Sequence, residues 1–191
     1  MKRREILKYT ALMSGAVIAA PLAMSLLSGC KTDSASTTVD FQPSFFDEDS
    51  FKFVNTIVDI IIPKTDSPSA TEAGVPAIID HMVDKVYTKD QQQEYKAGFN
   101  KLKAHLNREE GFLILKPTVQ IAMIQNLEDA QSNPSLKAER EAYINLKQQT
   151  VAYFLSNEKI SETYLNYLEV PGAYVGCISL EETGGKAWAI R

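Results

Sequence analysis

The chain has few of the residues from which metal and redox sites are usually built. Its 191 residues include two cysteines and two histidines. Two cysteines cannot hold an iron–sulfur cluster alone, and no Cys-x-x-Cys-His motif for covalent haem is present. His81 and His105 lie on different predicted helices, whereas a zinc site needs three or four clustered ligands. Asp80 and Asp84 could add oxygen ligands beside His81, but a partly solvated histidine is the simpler interpretation.

Motifs for nucleotide and acyl chemistry are also missing. The sequence contains no Gly-x-Gly-x-x-Gly dinucleotide fingerprint, no Gly-x-x-x-x-Gly-Lys-Ser/Thr phosphate loop and no Gly-x-Ser-x-Gly nucleophile elbow. The acids in Glu109-Glu110 and Glu181-Glu182 are adjacent rather than opposed, because neighbours on a helix point about 100° apart. We therefore expect no catalytic, cofactor-binding or metal-binding residue in this chain. A free-standing metal-dependent enzyme is the least supported hypothesis.

The first thirty residues carry the most informative pattern. Arg3 and Arg4 precede Glu5-Ile6-Leu7-Lys8, and an apolar stretch follows. This order is typical of a twin-arginine export signal, which is a receptor-read address. Leu27-Ser28-Gly29-Cys30 is similar to a bacterial lipobox, in which Cys30 receives the lipid and becomes the new N-terminus. The alternative is an uncleaved N-terminal anchor, and both interpretations place the mature domain outside the cytoplasm at a membrane.

The sequence predicts a signal peptide over residues 1–29, a flexible tether over 30–44 and one folded domain over 45–191. The whole chain has a net charge of −4. Residues 1–29 contain four basic residues and one acid, so residues 30–191 have a net charge of −7. This acidic balance argues against nucleic acid as a partner, because phosphates need clustered Lys and Arg.

Hydrophobic spacing predicts an all-α domain of about six helices with an irregular C-terminal segment. Pro63 ends the first helix, and Pro76, Pro117 and Pro134 suit the first turns of later helices. Ser161 is the expected N-cap of the sixth helix. Apolar residues at helical spacing, which we expect to face the core, include Val86, Ile121, Val151 and Leu168. Strand signals are weak and confined to Phe112–Leu115 and Tyr174–Ile178.

Cys177 has no intrachain partner if Cys30 is lipidated. A free thiol and an intermolecular bridge are two interpretations of such a cysteine in an exported protein. A buried, small apolar side chain is the third. The sequence leaves all three open.

Two blocks of sequence resemble a known family. One runs from Ile61 to Ala70 and continues from Ala73 to Asp80, and the other joins Tyr167-Leu168 to Pro171–Cys177. They are similar to subunit 3, the small subunit of membrane-bound gluconate 2-dehydrogenase and of related FAD-dependent sugar dehydrogenases. The segment from Val170 to Cys177 contains two glycines and exposed-type apolar residues, and it either folds back over the helical core or is covered by a partner. We expect the partner interface to include Pro63, Thr65, Gly74, Pro171, Gly172, Tyr174, Gly176 and Cys177.

The resemblance implies a non-catalytic role in a complex. In such complexes FAD and the sugar site belong to a large subunit of the glucose–methanol–choline type, and electrons leave through a cytochrome c subunit. The small subunit carries the export signal, Arg3 and Arg4 here, and supports maturation and export of the large subunit. A lipid on Cys30 departs from the expected arrangement, so the electron acceptor and the substrate stay open. The alternative is a stand-alone helical lipoprotein of the envelope that binds or scaffolds.

Overall fold

Six α-helices follow one another in the computed structural model, which describes residues 41–108, 111–168, 170, 172 and 176–189. They are α1 (Glu48–Ile61), α2 (Val75–Lys85), α3 (Lys89–Leu106), α4 (Pro117–Asp129), α5 (Lys137–Leu155) and α6 (Glu158–Tyr164). Short 3-10 turns at Phe112–Ile114 and Pro134–Leu136 precede α4 and α5. The described residues contain no strand, only an isolated bridge between Asn166 and Trp188. The predicted all-α class is confirmed.

Local sequence signals account for most helix starts. The Asp47 side chain accepts a hydrogen bond from the Ser50 backbone N–H at 2.8 Å and caps α1. Thr88 and Gln91 form a reciprocal capping box at the start of α3. Pro117 begins α4, where its missing N–H costs nothing. These caps fix where the chain turns, and the helices between them supply the core.

Helix α5 lies at the centre of the domain and packs against α1, α2, α3, α4 and α6. Its buried residues are Tyr143, Leu146, Gln149, Thr150 and Phe154. Thr150 is polar and fully buried, and its hydroxyl donates to the Leu146 carbonyl at 2.7 Å. This bond satisfies the hydroxyl within the helix, so a threonine fits in the apolar row without a partner elsewhere.

Aromatic side chains from α1, α3 and the first 3-10 turn form the densest part of the core. The fully buried Phe53 ring lies 5.9 Å from the Phe99 ring and 5.1 Å from the Phe112 ring, measured between centroids. Burying one such side chain contributes about 1.5–3 kcal/mol. The 3-10 turn at Phe112 is therefore held to the domain by its own aromatic residue.

Asp80 on α2 holds the beginning of the described part of the chain. Its carboxylate is fully buried and accepts three backbone hydrogen bonds, from Ser44 at 2.7 Å, Phe45 at 3.0 Å and Phe46 at 2.9 Å. The Phe41 ring packs edge-on against His81 on the same helix, with centroids 5.3 Å apart. The chain is thus fixed to the domain before residue 45, where the folded part was expected to begin.

The start of the sixth helix differs from the prediction. α6 begins at Glu158, and its N-cap is Asn157, whose side chain accepts from the Ile160 N–H at 3.3 Å. Ser161 lies inside the helix, and its hydroxyl donates back to the Leu155 carbonyl at 2.8 Å. Ser161 is thus satisfied by α5 and does not cap. Asn is as good an N-cap as Ser, so residue type alone does not favour Ser161 over Asn157.

Four residues that were expected to face the core are exposed instead. Val86 follows the last turn of α2, and Leu168 lies beyond the end of α6. Ile121 and Val151 sit one position after Gln120 and Thr150, which lie in the buried rows. One position turns a side chain by about 100°, so the apolar stripes are narrower than hydrophobicity alone predicts. The four are exposed by 62% (Val86), 50% (Leu168), 40% (Ile121) and 38% (Val151).

Candidate functional site

The loop from Pro63 to Gly74, called here the Pro63–Gly74 loop, is held by its own hydrogen bonds. Ser69 and Glu72 bond reciprocally, with the Ser69 N–H donating to the Glu72 carboxylate at 3.1 Å and the Glu72 N–H to the Ser69 hydroxyl at 3.2 Å. The Thr71 N–H donates to the Asp59 carboxylate on α1 at 2.8 Å. Ala70 is fully buried. The second half of the loop is therefore fixed against α1.

The first half of this loop faces solvent. Pro63 and Thr65 are exposed, and Lys64 forms an exposed ion pair with Glu72 at 2.5 Å. The hydrogen bond from Lys64 holds the pKa of the Glu72 carboxyl below its usual range. Such an exposed pair adds little stability but orients both side chains. Gly74 ends the loop with φ of +77°, a conformation that favours glycine, and serves as the N-cap of α2.

Asn157 joins this loop to α6. Its side-chain N–H donates to the Ala73 carbonyl at 3.0 Å, while its side-chain oxygen caps α6. One residue therefore fixes both the start of α6 and the end of the loop. Because α6 leads directly to residues 165–168, the two sequence blocks of the predicted interface are connected through this helix.

A second asparagine, Asn166, folds the C-terminal tail, residues 176–189, back onto α6. Its backbone N–H donates to the Ala187 carbonyl at 2.8 Å and its carbonyl accepts from the Ala189 N–H at 3.0 Å. Its side chain donates to the carbonyls of Thr183 at 2.8 Å and Lys186 at 2.9 Å. Four hydrogen bonds to one residue give the tail a defined position.

This anchored region exposes many large apolar side chains. A held segment that keeps such residues in solvent is typical of a surface that another molecule covers. They are Tyr167 (45% exposed), Leu168 (50%), Val170 (83%), Ile178 (43%), Leu180 (72%) and Trp188 (48%). We call these six residues the apolar surface.

The structure exposes most of the described residues that were predicted to contact a partner. Gly172, Gly176 and Cys177 are exposed, as are Pro63 and Thr65, whereas Gly74 is half-buried. Within the described ranges, no hydrogen bond joins the Pro63–Gly74 loop directly to the C-terminal tail. Pro171 and Tyr174 lie outside the described residues, and so do Arg3, Arg4 and Cys30.

The thiol of Cys177 is exposed. Of the three interpretations of this residue, a buried apolar side chain is therefore wrong. A free thiol and an intermolecular bridge both fit its position.

Asn157 and Asn166 were missed by the sequence analysis. Asn157 carried a usable signal, since Asn followed by Glu158 and Lys159 is a plausible helix start. Asn166 carried none, because its four bonds go to backbone groups that lie 17 or more residues away in the chain.

The candidate metal ligands around His81 do not converge. The Asp80 carboxylate is already occupied by three backbone N–H groups, and His81 is exposed beside the Phe41 ring. In the part of the chain that the structure describes, no three residues among His, Cys, Asp and Glu are grouped to hold a metal ion. The same part of the chain includes no helix with the length and apolar character needed to span a bilayer.

The helices and the apolar surface together define a small all-α domain whose described polar residues chiefly fix loops, caps and the tail. Comparison with known families assigns this domain to one of them. The chain belongs to the family described as gluconate 2-dehydrogenase subunit 3, whose model matches residues 48–172, more than half of the sequence. Searches of curated proteins and of solved structures returned no match. The matched range contains all six described helices, and the C-terminal tail lies beyond it.

Proposed function

We propose that this chain is the non-catalytic small subunit of an exported, membrane-anchored, flavin-dependent sugar or sugar-acid dehydrogenase. The observation that carries the proposal is the apolar surface, held outward by Asn166 in a domain of the subunit 3 family. A family named for a subunit implies a complex, and a fixed apolar surface supplies a place where another subunit docks.

The partner in this proposal is a large dehydrogenase subunit of the glucose–methanol–choline type. That subunit holds FAD and the sugar site, and a cytochrome c subunit receives the electrons. The small subunit contributes a rigid contact surface made of the apolar surface, Gly172, Gly176 and the exposed half of the Pro63–Gly74 loop. Cys177, exposed at the start of the tail, is placed to remain a free thiol or to bridge to the large subunit.

In this proposal, the leader of this chain directs the export of the whole complex. Arg3 and Arg4 direct the folded pair of subunits to the twin-arginine route, and a lipid on Cys30 tethers the pair to a membrane in the periplasm or cell envelope. The twin-arginine route carries proteins that fold before export. This chain has no cofactor motif, so its use of the twin-arginine route is explained if a partner protein exported with it carries the cofactor.

Copurification tests the complex itself. The full-length chain, tagged at its C-terminus, is isolated from solubilised envelopes of the native cell and its partners are identified by mass spectrometry. We expect a flavoprotein in a fixed ratio to the chain, with flavin absorbance in the same fraction. A chain that purifies alone would instead identify a stand-alone envelope lipoprotein. The same sample on a gel without reductant shows whether Cys177 forms a bridge.

Replacing both leader arginines tests the escort role separately. With Arg3→Lys and Arg4→Lys together, we expect the small and large subunits to accumulate in the cytoplasm, because one address serves two proteins. Normal amounts of the large subunit in the envelope would contradict the escort role but leave the complex intact. Cys30→Ala is the matched change, since it removes the lipid site and leaves the export address unaltered.

A further inference from the structure

A second group of exposed apolar side chains is separate in sequence from the apolar surface. It consists of Leu113 (42% exposed), Ile114 (79%) and Val119 (42%). Leu113 and Ile114 belong to the 3-10 turn Phe112–Ile114, and Val119 lies in the first turn of α4. We call these three residues the turn patch. None of them belongs to the apolar surface or to the predicted interface, so the proposed contact with the large subunit does not explain their exposure.

The turn that carries this patch is fixed to the domain. The Phe112 ring is fully buried and packs against Phe53, with centroids 5.1 Å apart. The Phe112 N–H donates to the Asn107 side chain at 2.7 Å, and the Phe112 carbonyl accepts from the Gln120 side chain at 2.8 Å. The apolar side chains of the turn patch are thus held in solvent by a fixed backbone, which is typical of a contact surface.

The sequence around the turn patch carries no net charge. Between positions 107 and 127 the charged residues are Arg108, Glu109, Glu110 and Lys116, and their charges cancel. Arg108 and Lys116 are exposed. Since the domain as a whole is acidic, charge does not attract a partner to this part of it. A contact here must depend on the apolar side chains themselves.

Phe41, where the described part of the chain begins, contacts the same helix as the turn. Its ring packs against Phe51 on α1, with centroids 5.2 Å apart, whereas Phe112 packs against Phe53. Two residues along a helix advance by only about 3 Å, so both contacts belong to the N-terminal half of α1. Ten residues separate Phe41 from Cys30. A lipid on Cys30 would therefore hold this end of the domain near the membrane.

The apolar surface is connected to the other end of α1. The Pro63–Gly74 loop follows the C-terminal end of α1, and Asn157 joins that loop to α6, which leads to the apolar surface. Helix α1 has 14 residues, so its ends are about 21 Å apart. The turn patch and the apolar surface therefore adjoin different ends of one helix, and each is available to a different neighbour.

We propose that the turn patch contacts the lipid bilayer, with Leu113 and Ile114 entering the boundary between headgroups and acyl chains. This inference rests on the proposed function, because a lipid on Cys30 supplies the attachment. A single weak signal gives only reversible membrane binding, and stable binding generally takes two. The lipid is the first signal and the turn patch is the second. The turn patch thus fixes which side of the domain faces the membrane and leaves the apolar surface to the large subunit.

Quenching by phosphatidylcholine with a nitroxide on its acyl chain tests this contact. The mature chain with Ile114→Cys and Cys177→Ser is isolated from solubilised envelopes with its partners and labelled with the fluorophore nitrobenzoxadiazole. It is then reconstituted into phosphatidylcholine vesicles that contain the nitroxide lipid. Because Cys30 carries the lipid in this proposal, the introduced cysteine is the free thiol of this chain. The Cys177→Ser chain without a new cysteine gives the background from other thiols.

Val86→Cys in the same background is the matched control. Val86 is 62% exposed and precedes α3, whereas the turn follows α3, which has 18 residues and is about 27 Å long. We expect quenching at position 114 to be at least about threefold stronger than at position 86, because only position 114 reaches the acyl chains. Equally weak quenching at both positions would overturn the proposal.

Two other outcomes identify a different error. Emission at position 114 that is blue-shifted on the vesicles but not quenched by the nitroxide lipid would show that another subunit covers the turn patch, which would also overturn the proposal. The mass of the purified chain reports the lipid on Cys30 independently. Strong quenching at position 114 in a chain without that lipid would contradict the anchor of the proposed function and support the contact of the turn patch.

Side-chain variants separate insertion from mere proximity. With the label on Val119→Cys, Leu113→Asp together with Ile114→Asp should lower quenching to the level at position 86, because carboxylates stay out of the acyl layer. Val86→Asp should leave quenching at position 119 unchanged. All these side chains are exposed, so the fold should be retained, and circular dichroism checks it. Unchanged quenching in the double variant would show that the lipid alone brings this region to the bilayer and would overturn the role of the turn patch.

Discussion

At the scale of single residues, a few buried polar groups hold segments that lie outside the helices. Asp80 is the clearest case, because one carboxylate satisfies three consecutive backbone N–H groups of residues 44–46. Consecutive N–H groups that point to one side form a natural anion site, and here the anion is a side chain of the same protein. The segment before α1 is thus held by charge-assisted bonds as well as by aromatic contacts.

Asp80→Asn should destabilise the domain by about 2–3 kcal/mol, because the amide loses the charge and turns a donor toward backbone donors. Chemical denaturation followed by circular dichroism gives the free energy of unfolding. Asp66→Asn is the matched control, since Asp66 is exposed on the Pro63–Gly74 loop, and its effect should stay within about 0.5 kcal/mol. Equal stability of the two variants would show that the three bonds contribute nothing net.

We expect the stability of the domain to depend on pH through His105. Burial lowers the pKa of His105, the nearby Arg108 lowers it further, and Glu139 opposes both. Its Nδ1 atom is buried and has no hydrogen-bond partner among the described residues. Because the unfolded chain binds the proton at higher pH than the folded one, stability is full above about pH 6.5 and falls as pH drops through the folded pKa.

We therefore expect the melting temperature of the wild-type protein to fall between about pH 7 and pH 5.5 and His105→Gln to flatten that fall. Thermal denaturation at a series of pH values measures it. His81→Gln is the control, since His81 is the other of the two histidines and is exposed. A flattened curve in the His81 variant, with an unchanged slope in the His105 variant, would reverse the assignment.

At the scale of elements, the Pro63–Gly74 loop and α6 depend on one another through Asn157. Asn157→Ala removes the α6 cap and the bond to the Ala73 carbonyl together. We expect a loss of about 1–2 kcal/mol of stability and faster amide hydrogen exchange in residues 70–75. Asn133→Ala is the matched control, because Asn133 caps a 3-10 turn through an exposed side chain without a tertiary bond. Unchanged exchange in the loop would show that it is fixed by α1 alone.

The same elements show what the sequence could and could not predict. The positions of Pro76 and Pro117 predicted the first turns of α2 and α4, because the effect of a proline on the backbone is local. The choice between Asn157 and Ser161 required the position of α5, which satisfies Ser161 from outside its own helix. Of the predicted interface, Pro63, Thr65 and Cys177 are exposed, and their contact with a partner stays a prediction. The close approach of α3 and α5 at Gly98 and Ala142 was not predicted, because it depends on how two helices distant in sequence pack together.

At the scale of the whole molecule, exposed apolar residues are concentrated after residue 166, which gives the proposed complex a testable surface. The double variant Leu180→Asp with Trp188→Asp should lower recovery of the flavoprotein by at least about tenfold, since charges would be buried in an apolar contact. Its melting temperature should match the wild type, because both side chains are exposed. Copurification from solubilised envelopes measures the recovery.

Val86→Asp is the control for this surface. Val86 is as exposed as the residues under test, but it follows the far end of α2 from the Pro63–Gly74 loop. Helix α2 has 11 residues, so the two ends of the helix are about 16 Å apart. We expect normal recovery of the flavoprotein with this variant. Loss of recovery with Val86→Asp alone would place the contact elsewhere on the domain.

Residues 44–46 bond to Asp80, and Phe41 packs against His81. These contacts also limit the distance between the domain and a lipid on Cys30. With the proposed lipid on Cys30, ten residues separate the lipid site from Phe41, which contacts the domain at His81. Even a fully stretched peptide of that length reaches only about 35–40 Å. In the proposed assembly Phe41 therefore stays within about 40 Å of the lipid headgroups, and a longer segment between Cys30 and Phe41 should weaken electron transfer to an acceptor embedded in the membrane.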